Sequence, residues 1–375
     1  MVAGESSGDL HGSNLVKVLF RLDPKIAIYG TGGDKLKEAG VEILFNFTDL
    51  AVVGITEVLG KFGSILNIFR RLKIFLKQEH PDLLILIDYP DFNLRLAKFA
   101  KRIGIPVLYY ISPQVWAWRR GRVKKIARSV DRLAVIFPFE TSYYQKEKVD
   151  IKFVGHPLVE VVKPRFRRED ALHRLGLDPS KKIIGLLPGS RINEIFSLVP
   201  AILGAAEIIS EKLPNIQFVL PLAPVCSEND ILGIASQYNV ELKIIQNYYY
   251  DVINVSDFVI VASGTATLET ALLNTPMLII YKTSFLTYLI GKTLISIKDI
   301  GLVNIVAGKR VVPELVQGQV TPERIARETL KFINNDVLML KAEQSLRKVQ
   351  KKLDGIGVAE KVAMMAHQML QEKGN

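Results

Sequence analysis

The chain has 375 residues, 49% hydrophobic and 23% charged; this excludes a disordered polymer, and the length exceeds one ordinary core, so two domains are expected. Its 49 Lys plus Arg against 38 Asp plus Glu leave a net charge of +11, which favours an anionic partner such as nucleic acid, anionic lipid or a phosphorylated substrate. The single cysteine, Cys226, excludes an internal disulfide and favours a reducing compartment, no secretory signal is read at the start, and no uninterrupted apolar run is long enough to span a bilayer.

Without zinc-finger spacing or an RNA-recognition signature, charge alone supports a nucleic-acid partner, and none is predicted. The expectation is a soluble cytoplasmic protein, or one attached to a single membrane face.

In chain order, the first short strand is followed by the loop Gly4-Glu5-Ser6-Ser7-Gly8-Asp9-Leu10-His11-Gly12, with a helix expected from near Ser13. Its glycines permit close backbone approach and its amides suit an anion; the alternative is a structural turn with Asp9 or Ser13 as a helix cap. From Ile55 to Leu76, apolar residues recur at helical spacing (Val58, Leu59, Phe62, Ile65, Leu66 and Phe69 among them) with Lys and Arg interleaved. That pattern fits either a core helix or one lying on anionic lipid. The runs Leu83 to Asp88, Val107 to Ile111 and Leu133 to Phe137 read as parallel strands covered on both faces, with an amphipathic helix over Asn93 to Ile103.

Asp88 stands at the carboxyl end of its strand, where a partly desolvated carboxylate can act as a general base. Asp91 or Asn93 in the same loop, Asp88-Tyr89-Pro90-Asp91-Phe92-Asn93, reads as a cap of the next helix. After Ile111 comes Ser112-Pro113-Gln114-Val115-Trp116-Ala117-Trp118-Arg119; its tryptophans suit sugar or acyl contacts, or core packing. His156 in Gly155-His156-Pro157 fits a cleft contact or a packed histidine. The charged, proline-containing stretch Lys163 to Lys182 reads as an interdomain connection.

The second half repeats the pattern, with strands at Ile183 to Leu187, Ile216 to Leu220, Phe258 to Ala262 and Met277 to Tyr281, and a helix over Leu198 to Leu213. Two small-residue loops follow strands here. In Leu187-Pro188-Gly189-Ser190-Arg191, open amides and a guanidinium suit a diphosphate, unless Arg191 pairs with Glu194 instead. In Ala262-Ser263-Gly264-Thr265-Ala266-Thr267-Leu268-Glu269, amides again suit phosphate and Glu269 suits the two hydroxyls of a ribose; a capping role for Thr265 and Glu269 is the alternative. The segment Val358 to Lys373 is helical and is expected to pack back on an earlier element. Together these elements predict two doubly wound α/β domains, with ligands at the carboxyl ends of the strands and a cleft between the domains.

Taken jointly and in this order, GESSGDLHGSN from Gly4, IDYPDFN from Ile87, SPQVWAWR from Ser112, GHP from Gly155, LPGSR from Leu187, ASGTATLE from Ala262 and NIVAGKRVVPEL from Asn304 resemble the lipid-A-disaccharide synthase family over almost the whole chain. The resemblance implies a GT-B fold: two Rossmann-like domains, their parallel sheets facing a central cleft. Residues 1–165 would bind the acceptor and associate with the membrane, residues 182–357 would bind the UDP-sugar, and the helix at about 358–373 would return to the first domain.

It further implies an inverting transfer with no metal and no cofactor, from UDP-2,3-diacylglucosamine to 2,3-diacylglucosamine 1-phosphate, giving a β-1,6-linked disaccharide 1-phosphate and UDP. Asp88 matches the family's base for the acceptor 6-hydroxyl. Arg191 and Glu269 match donor-site positions near the diphosphate and the ribose, and Asn304 matches a further active-site position. Gly189, Ser190, Ser263, Gly264 and Thr265 complete the expected donor site. Gly4, Glu5, Ser6, Gly8, Asp9, His11, Trp116 and His156 form the expected acceptor side. The substrates' acyl chains favour peripheral attachment to the inner face of the inner membrane through the helix from Ile55, and the family often forms homodimers. Ser6 and Val303 stand where the family usually has proline, and its first strand is usually a few residues longer.

Overall fold

The computed structural model describes residues 1–46, 55–116, 120–283 and 299–374, with backbone only for 55–62, 120 and 374. The chain forms two compact units: residues 1–157 with 354–375, and residues 158–353.

In the first unit the strands are β1 (Val2–Ala3), β2 (Tyr29–Gly32), β3 (Glu42–Asn46), β4 (Leu84–Ile87), β5 (Val107–Tyr110), β6 (Arg132–Val135) and β7 (Asp150–Phe153). All pair in parallel in the order β3-β2-β1-β4-β5-β6-β7. The order reverses between β1 and β4, the switch point at which doubly wound sheets bind ligands. The central strands β4 and β5 are buried along their whole length, as their unbroken apolar sequences require. One face is covered by α3 (Ile55–Glu79), α4 (Pro90–Arg102) and α5 (Val123–Ala127) through Ile68, Leu72, Leu96, Ala97 and Ile126. Each fully buried Leu or Ile of this kind contributes about 1.5–3 kcal/mol.

On α3, Ile65 and Phe69 pack against this core and Leu66 is half-buried, so the first two are not free to face a membrane. The side chains of Val58, Leu59 and Phe62 lie outside the described residues. The helix Val358–Gly374 packs on α1 (Ser6–Leu22), burying Val362, Ala363 and Ala366, and Arg132 binds both Met365 O and the Glu372 carboxylate. Where the chain returns, a Cβ on Gly155 would lie 1.9 Å from Asp354 O. Only glycine fits there, which gives the Gly-His-Pro motif a packing explanation.

The second unit repeats the topology with β8 (Lys182–Leu187), β9 (Ile216–Pro221), β10 (Leu242–Ile245), β11 (Phe258–Ala262), β12 (Met277–Tyr281) and β13 (Glu314–Val316) in the order β10-β9-β8-β11-β12-β13. Its switch point lies between β8 and β11. Helix α9 (Ile192–Lys212) is long and apolar enough to cross a bilayer, yet Ile195, Leu198, Val199, Ile202 and Ile209 are buried in the core of this unit.

The expected connection at Lys163 to Lys182 takes a different form. Helix α8 (Arg168–Leu175) occupies it and buries Ala171, Leu172 and Leu175 with Val252 and Val255, so the stretch belongs to the second unit. Its charges lie on the solvent side of an amphipathic helix too short to stand out in sequence.

Candidate active site

The first cluster sits at the β1/β4 switch point, where Ala3 pairs with Ile87 and the residues after each strand become neighbours. Asp88 and Tyr89 leave β4 with φ of 48° and 49°, a left-handed region that few residues other than glycine adopt. The Tyr89 ring lies over Gly4, where a Cβ would stand 2.4 Å from Tyr89 Cγ, so the first loop must be glycine at this point. Pro90 then opens α4, its fixed φ and missing N–H suiting the first helical position.

Burial, reinforced by the negative charge of nearby Glu5, raises the Asp88 carboxyl to about 6, against a lowering hydrogen bond from the Tyr89 N–H. A carboxylate so placed is ionised at neutral pH and basic enough to take a proton as a hydroxyl attacks. Glu5 and Ser6 are exposed at the start of α1, while Gly8 is buried against Ala3.

Several residues expected on the acceptor side make structural contacts. Helix α1 starts at Ser6, not near Ser13, so Asp9 lies inside it. The buried Asp9 carboxylate accepts the N–H groups of Gly33 (2.6 Å), Lys35 and Leu36 (3.2 Å each), capping the short helix α2 (Asp34–Glu38). Trp116 is 2% exposed, wedged edge-on against Phe137 and Phe139, with its Nε1 donating to Glu140. It is therefore a core residue; Trp118 lies outside the described residues.

His156 is buried with its ring 5.1 Å from that of Phe137, and burial with the proximity of His11 lowers it to about 3. His11 is lowered to about 4 by burial. Both imidazoles are therefore neutral at physiological pH, and His11 Nδ1 is buried without a hydrogen-bond partner among the described residues. Asp91 is exposed and paired with Arg122, and Asn93, far from capping α4, reaches back to the carbonyls of Ile87 and Asp88.

The second cluster sits at the β8/β11 switch point, where Leu187 pairs with Val261. Gly189 and Ser190 follow β8, and Arg191 is the N-cap of α9, which has no side-chain cap. The Arg191 side chain is 79% exposed and holds Glu194 at 2.9 Å, so the surface pair exists and the guanidinium still faces solvent. A pair this exposed contributes about 0–1 kcal/mol, little obstacle to an incoming diphosphate.

After β11, Ser263 donates its hydroxyl to Ile300 O at 3.1 Å, Gly264 and Thr265 form the turn, and α12 (Ala266–Leu272) follows without a side-chain cap from Thr265. Glu269 accepts the hydroxyls of Tyr249 at 3.2 Å and Tyr250 at 3.1 Å, and burial raises its pKa. The run Tyr248-Tyr249-Tyr250 was its only sequence signal, and nothing local ties it to a carboxylate some twenty residues on. Asn304 is 0% exposed. Its amide donates to Val312 O and Glu314 while its oxygen accepts the N–H groups of Val311 and Val312. With these four bonds it braces the segment around it.

Comparison with known proteins agrees with this double arrangement. The family model for lipid-A-disaccharide synthetase matches residues 1–369. The lipid-A-disaccharide synthase of Geobacter metallireducens is 51% identical over 373 residues, covering 100% of this chain and 97% of the relative. That of Geobacter sulfurreducens is 49% identical over 370 residues, covering 99% and 96%. Among solved structures, the UDP-GlcNAc 2-epimerase of Neisseria meningitidis, bound to UDP-GlcNAc, superposes with a TM-score of 0.61 at 12% identity, over 96% of this chain and 97% of that one. The calicheamicin glycosyltransferase does so with a TM-score of 0.60 at 13% identity, over 99% and 96%. At such identities these two share the fold alone, the two-domain α/β GT-B architecture. The sequence matches run the length of the chain at about half identity, and on them the chain belongs to the lipid-A-disaccharide synthase family.

Proposed function

We propose that the two switch-point clusters divide one glycosyl transfer between them: the chain condenses UDP-2,3-diacylglucosamine with 2,3-diacylglucosamine 1-phosphate, forming the β-1,6-linked lipid A disaccharide 1-phosphate and UDP. The observation that carries the assignment of roles is Asp88, a carboxylate held to about 6 at the end of β4. It takes the proton of the acceptor 6-hydroxyl as that oxygen attacks the anomeric carbon. The bond to the diphosphate oxygen breaks on the opposite side, inverting the configuration. Arg191 and the amides around Gly189 and Gly264 receive the charge that develops on UDP, and Glu269 accepts the ribose hydroxyls while its two tyrosines keep it oriented.

Charge supports attachment to an anionic membrane on the cytoplasmic face. Residues 55–128 contain fifteen Lys or Arg against five Asp or Glu. On the layer of α3, α4 and α5, Arg70, Lys77, Arg95, Lys98, Lys124 and Arg128 are exposed. The acyl chains of both substrates then lie where the protein sits.

The test supplies both acylated substrates in detergent and follows UDP release with mass detection of the disaccharide. Turnover by the wild type and a loss of at least about a thousandfold in Asp88→Ala are expected. No UDP release by the wild type rejects the activity, and full turnover by Asp88→Ala rejects the base. Wild-type kcat/KM falls below about pH 6, as Asp88 takes up its proton.

A further inference from the structure

We propose that Asn93 and Tyr109 are positioning residues that fix the peptide plane between Asp88 and Tyr89 by clamping the Asp88 carbonyl. The proposal rests on Asp88 being the base. Two successive side-chain-bearing residues, the second a bulky tyrosine, hold left-handed backbone here, at φ of 48° and 49°. Each such residue costs on the order of 1 kcal/mol or more and persists only where its surroundings impose it.

The imposing groups are specific. The Asp88 carbonyl accepts the Tyr109 hydroxyl at 2.6 Å and Asn93 Nδ2 at 2.8 Å, and the same amide also reaches Ile87 O at 3.2 Å. Both side chains are 0% exposed, one on the neighbouring strand β5 and one in the first turn of α4. With both lone pairs taken, the carbonyl cannot swing away without breaking two buried hydrogen bonds. The ladder bond from Asp88 N to Tyr110 O holds the near side of the residue.

The opposite edge of the same peptide plane is the Tyr89 N–H, which hydrogen-bonds the Asp88 carboxylate. A flip of this peptide would relieve the backbone, break both clamp bonds and remove that N–H from the base. The clamp thereby sets both the direction of the carboxylate and its proton affinity.

The experiment compares Tyr109→Phe, which keeps the ring, with Asn93→Ala, measuring kcat, the KM of each substrate, the pH–rate profile, melting temperature and UDP affinity. The expected result is a kcat about tenfold lower in each, as a misdirected base costs. KM values and UDP affinity should be unchanged, and the acid limb should move above its wild-type position because the N–H no longer stabilises the carboxylate. The double variant should be little worse than either single one, since both act on one carbonyl. A folded Tyr109→Phe with wild-type kcat and acid limb overturns the clamp, and decides alone if Asn93→Ala does not fold. Full turnover by Asp88→Ala overturns the base itself; an inactive Asp88→Ala beside a fully active Tyr109→Phe rejects the clamp alone.

Discussion

The two units share a strand order and a switch point, yet they leave their central strands differently. In the first, β4 and β5 end in Asp88, Tyr89 and Ile111, side-chain-bearing residues with φ of 48°, 49° and 63°. In the second, the unusual backbone after β8 and β11 falls on Gly189 and Gly264, at φ of 116° and 153°, where no strain is paid. The closeness of packing differs too. A Cβ on Gly4 would collide with a tyrosine ring, whereas one on Gly264 would meet nothing within 4 Å. If Asp88 is the base proposed above, it must be aimed, and the strained, closely packed backbone around it aims it. In the proposed roles a diphosphate must be approached, and the backbone at Gly264 is left bare for it.

Three substitutions sharpen or break this contrast. Gly4→Ala drives the Tyr89 ring from its seat beside the base, and kcat should fall about a hundredfold with UDP affinity retained; a near-normal kcat would mean the tight packing is irrelevant to chemistry. Glu269→Gln keeps shape but exchanges a carboxylate oxygen for an amide NH2 donor, and calorimetry should find UDP bound about tenfold more weakly. If kcat at saturating donor falls more than the affinity, binding and chemistry are not divided between the units.

The smallest effect concerns the core behind the acceptor loops. Burial holds Glu140 at about 8, against an ordinary value of 4.5, so its protonated form favours the folded state. That stability is complete below about 4.5 and is lost as pH rises through 8. In Glu140→Gln the decline between these limits should be shallower, by on the order of 1 kcal/mol in denaturant titrations. Parallel pH profiles for variant and wild type would show that the carboxyl is not desolvated.

The buried parallel strands were legible in the sequence because both faces are covered: Phe258–Ala262 and Met277–Tyr281 fall where their apolar runs predict. Tyr29–Gly32, Asp150–Phe153 and Leu242–Ile245 were not, being short, glycine-bearing or half-exposed. Loops following strands pointed to Asp88, Arg191 and Glu269 as candidates, and the structure places them at the two switch points. The fates of Asp9, Trp116 and Asn304 were hidden, because each is decided by partners that only folding brings close. Asp9 caps a helix more than twenty residues away, and Asn304 saturates itself on the backbone of Val311 and Val312. The same blindness concealed Tyr109 and Asn93, whose partner is a main-chain carbonyl and so leaves no trace in residue type.

The first unit is discontinuous: its last helix, Val358–Gly374, is made only after the whole of the second unit. During synthesis the second unit has all its strands once residue 353 has emerged, while the first still lacks the helix that covers α1. A nascent chain therefore completes its second unit first. The face of α1 that the last helix covers waits, open, until residues 358–374 have been made, and the first unit matures last.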